Sequence, residues 1–253
     1  MPDSDPKAEG VSGSDFFDHA DVFAKYFESR PSAASPVETM EMPAVWDAIG
    51  DVTGLRILDL GCGGGEIGFE LLRRGAKAYV GVDGSAAMVE RAVGQLDRSR
   101  ASVTRANLAT YMPPIGAFDL VVSLRVLHYV ENLADVLGRA RRALVPGGRL
   151  IYTHEHPVIT SFEAREPGAT RTSWTVDHYF QPGARRVIFL GRPVVKYHRT
   201  MEEHLDAVRD ADLRFARLRE CPPVRALFQD DVAEYERRRR IPLFVLIEAH
   251  NSN

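Results

Sequence analysis

The chain has 253 residues, 45% of them hydrophobic, and 32 Lys and Arg against 35 Asp and Glu give a formal charge of −3. That length and composition support one globular domain with a sizeable core, and no stretch approaches the roughly 20 apolar residues of a membrane span. The acidic, polar start MPDSDPKAEGVSGSD is unlike a signal peptide, so a cytoplasmic protein is expected; Cys62 and Cys221 are the only cysteines and are expected as reduced thiols.

Residues 1–13 have the Ser, Asp, Gly and Pro content of a disordered tail, and 14–253 are expected to form one domain. From Phe16, FFDHADVFAKYF sets Phe16, Ala20, Phe23 and Phe27 on one helical stripe, so the segment 14–50 begins with a helix. After a Pro/Ser-rich link, RILDL (56–60) reads as a buried strand and Glu66–Arg74 as a helix closed by Gly75. AYVGVD follows as a second strand, and Ser85 caps a helix with Met88, Ala92, Val93 and Leu96 inward. SVTRAN and FDLVVSL are the third and fourth strands, Asn132 caps LADVLGRARRAL, and VPGG turns the chain into a fifth strand, RLIYTH. This repetition predicts a parallel sheet covered on both faces. The rhythm stops between His154 and about Thr200, where WTVDHYF and RRVIFL read as strand pieces joined by the turn QPGA, and 155–200 are taken as an inserted cap. In 201–253 a helix over 201–211 and strands near Arg214–Glu220 and Leu243–Ala249 restore it.

The first strand runs into Gly61, Gly63, Gly64 and Gly65. Glycine loses more backbone entropy on folding than any other residue, so such a cluster points to a special turn or to a ligand that comes close to the backbone. In open α/β sheets ligands bind beyond the carboxyl ends of the strands, where this loop falls. Glu66 stands where a dinucleotide fingerprint has its third glycine, and a carboxylate at a helix start disfavours a pyrophosphate.

In this order, ILDLGCGGG, GVDGSAAMVERA, FDLVVSLRVLHYV and ALVPGGRLI resemble a class I S-adenosylmethionine-dependent methyltransferase, over roughly residues 55–155 and more weakly beyond. The resemblance implies an α/β fold, a Rossmann-like, doubly wound, mainly parallel seven-stranded sheet with an N-terminal lid helix and an inserted cap. It implies S-adenosyl-L-methionine as cofactor, released as S-adenosyl-L-homocysteine. Asp59, Gly61, Cys62 and Gly63 would then line the methionine part, Asp83 beside Gly84 would accept from both ribose hydroxyls, and Asn107 with Leu108 would meet the adenine. Met88 and Ser123 complete that set. The family more often has Asp at the position of Asn107. A helix before the first strand commonly folds over the cofactor in this family, bringing Tyr26 towards the sulfonium and Arg30 towards the methionine carboxylate; packing of that helix on the sheet through its phenylalanines stays open beside the lid.

HEHP and KYHRT are similar to a bacterial group of small-molecule methyltransferases, some linked to secondary metabolism. The cap concentrates aromatic and titratable residues as an enclosed pocket requires, so Tyr129, Trp174, Tyr179 and His198 are candidate substrate contacts. Glu155 is the first carboxylate beyond the fifth strand and, with His128 and His156, is a candidate for removing an acceptor proton; a merely anchoring Glu155 stays open. No metal is expected, because His and carboxylate pairs lack helical ligand spacing. The run ERRRR (236–240) reads as a solvated helix face, and SLRVLHYV lacks the Asn/Asp-Pro-Pro-aromatic motif of base-amino methyltransferases, so no nucleic acid and no membrane partner is expected. The expected protein is a monomer or homodimer that methylates a small molecule on carbon, nitrogen or oxygen. A cofactor-binding protein without methyl transfer and a nicotinamide-dependent oxidoreductase are the competing readings.

Overall fold

The computed structural model describes residues 11–29, 35–161 and 173–252. Five segments pair in parallel: β1 (Arg56–Leu60), β2 (Ala78–Asp83), β3 (Ala101–Arg105), β4 (Phe118–Leu124) and β5 (Leu144–Glu155). A hairpin of β6 (Gly183–Phe189) and β7 (Arg192–His198) stands apart, and β8 (Arg214–Arg219) and β9 (Phe244–His250) complete a seven-stranded sheet of order β3-β2-β1-β4-β5-β9-β8, with β9 antiparallel to both neighbours. Strand order reverses between β1 and β4, which opens a crevice at the carboxyl ends of these strands.

Buried apolar runs such as Ile57, Leu58 and Leu120–Val122 need cover on both faces. One face is covered by α3 (Met42–Ile49), α4 (Glu66–Arg73) and α5 (Ala86–Gln95), through residues such as Val45, Leu71 and Ala92. The other is covered by α6 (Leu133–Ala143) and α8 (Met201–Asp210), through Leu137, Ala140 and Val208. The expected caps are present: Ser85 accepts from the Met88 amide and Asn132 from the Asp135 amide.

Two expectations change. The N-terminal helix is broken into α1 (Gly13–Phe17) and α2 (Ala20–Ser29), and Val11 bridges Val194 while the Ser12 side chain caps α1. Val11 to Gly13 therefore belong to the fold; the rest of the expected tail, 1–10, lies outside the described residues. Val11 to Gly13 are held by an apolar cluster of Phe16, Val22 and Val194, which Phe189 joins with its ring stacked 5.9 Å from that of Phe16. The hairpin turn also lies elsewhere than QPGA. Leu190 and Gly191 take φ +50° and +88°, the left-handed pair of a two-residue hairpin turn, so RRVIFL pairs with RPVVKYH and WTVDHYF is not a strand.

Candidate active site

At the end of β1 the Gly61 and Cys62 amides donate to the Val82 carbonyl at 2.7 and 3.0 Å, locking the loop to β2. Gly61 (φ +83°) has no room for a side chain, since a Cβ would lie 2.3 Å from Val126. Gly63 (φ +54°) has open space within 4 Å instead, and its amide donates to Asp83 Oδ2 at 2.9 Å. The Ser85 amide donates to the other oxygen, Oδ1, at 2.9 Å. Asp83 is thus fixed through both oxygens at the tip of β2, each oxygen keeping a further lone pair for a hydroxyl. Burial raises its pKa, partly offset by these bonds. Asp59, 1% exposed, accepts from the Tyr79 hydroxyl at 2.7 Å, and burial pushes its carboxyl up to about 7.

These groups open on a cavity of about 750 Å³ that reaches from the glycine loop to the hairpin. Tyr26, Asp59, Gly61, Cys62, Gly63, Asp83, Gly84, Met88, Asn107 and Leu108 all line it. Asn107 Oδ1 accepts from the Ala109 amide at 2.9 Å, which sets the turn after β3. Ser123 does not reach the cavity: it is fully buried and donates to the Leu60 carbonyl at 2.6 Å, joining β4 to β1. Arg30 lies outside the described residues.

Towards the hairpin Glu155, His128 and Tyr129 line the same cavity. His128 is buried and held neutral, burial and then Lys196 driving its pKa well below the ordinary value, and its Nδ1 has no hydrogen-bond partner among the described residues. His156 is absent from the cavity because both ring nitrogens are engaged elsewhere: Nδ1 accepts from the Val158 amide at the start of α7 (Pro157–Thr160), and Nε2 lies 3.1 Å from Glu220. Trp174, Tyr179 and His198 are also outside it. His198 spans the Thr160 hydroxyl and the Tyr179 carbonyl, and the Tyr179 hydroxyl accepts from the Met201 amide, so these residues tie α7, β7 and α8 together.

Several residues the sequence reading passed over stand in their place. Lys196, 4% exposed, donates to Glu155 Oε1 at 2.7 Å and lies 5.0 Å from the ring centroid of Phe189. The signal was the period-two burial of β7, which turns Val194, Lys196 and His198 to the same side. Arg125, at φ +57° just after β4, pairs with the fully buried Glu41, which also accepts from Thr153. Burial opposes the Arg125 charge, but Glu41 and Tyr26 more than offset it and its pKa rises. The N-terminal segment packs against the tip of β2: a Cβ on Gly84 would lie 2.5 Å from Ser14 Cβ, and Asp18 accepts from the Ser85 hydroxyl at 2.6 Å.

A carboxylate with two free lone pairs at a strand tip, a side-chain-free gap at Gly63 and a nearby amide side chain suit a nucleoside with vicinal hydroxyls. Glu66, paired with Arg91 at 3.3 Å, occupies the helix start where a pyrophosphate would sit.

Residues 58–150 match the family model described as a methyltransferase domain. An S-adenosylmethionine-dependent methyltransferase from Mesorhizobium loti superposes with a TM-score of 0.76 at 34% identity, over 83% of this chain and 97% of that one. A second, from Listeria monocytogenes, gives 0.74 at 26% identity, over 83% and 96%. A ubiquinone biosynthesis O-methyltransferase of a Bradyrhizobium species is 35% identical over 101 residues, 40% of either chain. Among the described residues no helix is long and apolar enough to cross a membrane. With the motif order, the sheet and the Mesorhizobium relative in agreement, the chain belongs to the S-adenosylmethionine-dependent methyltransferases.

Proposed function

We propose that this methyltransferase acts on a small molecule held between the glycine loop and the hairpin. The reading rests on one cavity bordered by α1, α2 and β7: its volume of about 750 Å³ falls in the range of small-molecule pockets, roughly 300–1,000 Å³. In this reading Asp83 and Gly63 hold the ribose, Asn107 and Leu108 meet the adenine, and Asp59 and Cys62 border the methionine portion. The bound cofactor supplies a methyl carbon activated by a positively charged sulfur. The protein's contribution is to align the acceptor atom with that carbon and exclude water, for which effective molarities are worth roughly 7–11 kcal/mol. Glu155 takes the acceptor proton, and neutral His128 and Tyr129 shape the wall beside it. Methyl-labelled S-adenosylmethionine incubated with the protein and a fractionated small-molecule extract should give a labelled product below the mass of a macromolecule. Label appearing only in protein or nucleic acid overturns the reading.

A further inference from the structure

Lys196 lines the cavity wall, and the reading above gives it no role. A lysine with 4% of its surface exposed is costly, and its Nζ donates to Glu155 at 2.7 Å between the faces of Phe189 and Tyr129, 5.0 and 5.7 Å away. A purely structural tie would not need to line the ligand cavity, yet both partners do. The hairpin that carries Lys196 is itself tied to α2 by Arg192 and Asp21 at 2.9 Å, so the ammonium is positioned by the segment that packs against the tip of β2.

We propose that Lys196 is a catalytic residue that stabilises an acceptor oxyanion, and that the acceptor is a neutral molecule with an ionisable hydroxyl, a phenol or an enol. The inference rests on the methyl-transfer reading and deepens it. Lys196 and Glu155 together are electrically neutral, so an uncharged acceptor enters without leaving a buried charge unpaired. The acceptor O–H bond breaks with its proton passing to Glu155, and Lys196 meets the negative charge left on oxygen. The oxygen then bonds to the methyl carbon as the carbon–sulfur bond breaks, its electron pair going to sulfur. Proton and charge stay balanced within the site, and Glu155 later returns the proton to water. An amine acceptor is disfavoured, because its ammonium and its methylated product both meet the Lys196 charge. The rings of Tyr129 and Phe189 offer apolar walls to a planar acceptor.

The test uses 4-nitrophenol, whose ionisation is read by its visible absorbance, on protein saturated with S-adenosyl-L-homocysteine. In Glu155→Gln, where Lys196 loses its carboxylate, the bound probe should ionise about 1–3 pH units lower than in water. In Glu155→Gln/Lys196→Met, which removes both charges with little change of volume, that shift should vanish, and Glu155→Gln/Lys196→Arg should keep it. The neutral double variant guards against the instability that Lys196→Met alone would cause by removing the ammonium from beside the Glu155 carboxylate. In the otherwise wild-type chain, Lys196→Arg should keep a measurable rate with labelled cofactor and Lys196→Met should lose it. Absence of probe binding, an equal shift with and without Lys196, or tighter binding of 4-nitrobenzylammonium overturns the role of Lys196. Calorimetry with S-adenosyl-L-homocysteine is run in parallel: no cofactor binding means that the methyl-transfer reading has failed, whereas cofactor binding without the shift means that only the Lys196 inference has.

Discussion

The two ends of the cavity are built differently. At the proposed cofactor end the Asp83 carboxylate is held by backbone amides of Gly63 and Ser85, within about twenty residues of chain. At the proposed acceptor end Glu155 is held by a side chain, Lys196, 41 residues away. Backbone amides are fixed by the sheet whatever the neighbouring side chains, so the first arrangement suits a ligand that never changes. A side-chain pair can be altered by one substitution, which suits an end that sets which acceptor is taken.

The sharpest way to break this comparison is Asp83→Ala. It removes the acceptor of the ribose hydroxyls, each such bond to a charged group being worth about 1.5–3 kcal/mol, so S-adenosyl-L-homocysteine affinity should fall by two decades or more in calorimetry. An Asp83→Ala protein that is folded and binds as tightly as wild type would remove the ribose role. Glu155→Gln should do the converse. Turnover of an identified acceptor should drop roughly 10²–10⁴-fold in folded protein while cofactor affinity stays near wild type, even though Tm falls because buried Lys196 loses its carboxylate. Full turnover in folded Glu155→Gln protein would make Glu155 a structural partner of Lys196 alone.

This difference also decides what was legible in the sequence. The positions of Gly63, Asp83 and Asn107 beyond strand ends, and the caps Ser85 and Asn132, are readable because each is set by the local strand–loop–helix pattern around it. Ser123 was misassigned because position after a strand does not reveal which way the hydroxyl turns, here to the Leu60 carbonyl. His156, Tyr179 and His198 have the right chemistry in the right segment, but their polar atoms are used in tying α7, β7 and α8 together. Lys196 and the Glu41–Arg125 pair depend on contacts 41 and 84 residues apart, which local patterning does not encode.

Acid should act on the two ends with opposite sign. Next to Glu155, His154 stacks on His204 with ring centroids 3.6 Å apart. Burial drives His154 from the ordinary 6.5 to about 3 and His204 well below 6.5. The unfolded chain therefore binds more protons below 6.5, and each histidine lowers stability by about 1.4 kcal/mol per pH unit as pH falls from there. Asp59 works the other way: raised from 3.8 to about 7, it takes up a proton in the folded state first, so its contribution to stability grows as pH falls between those values. Hydrogen exchange should show β5 and α8 losing protection as pH falls from 6.5 towards 3, before β1 and β2 do. Replacing His154 by Phe and His204 by Leu should flatten the difference, and equal loss in both halves would sink it.

The smallest effect tests whether the N-terminal segment belongs to the cofactor end. Gly84 sits directly beneath Ser14, where an added Cβ would come within 2.5 Å of Ser14 Cβ but stay 3.7 Å from Ser14 Cα. Gly84→Ala should therefore force α1 away from the strand tip at a cost of about 1–3 kcal/mol, as overpacking does. Part of that loss should appear as weaker cofactor binding, because α1 and Asp83 border the same cavity. Removing the opposing side chain restores the space, so Gly84→Ala/Ser14→Gly should recover most of the affinity that Gly84→Ala loses. Ser14→Gly alone should change affinity little. A double-mutant cycle in calorimetry then reads the contact as a coupling of about 0.5–3 kcal/mol between residues 70 positions apart. Additive effects would mean that α1 rests over the site without bearing on it, and that the cofactor end is complete from β1 and β2 alone.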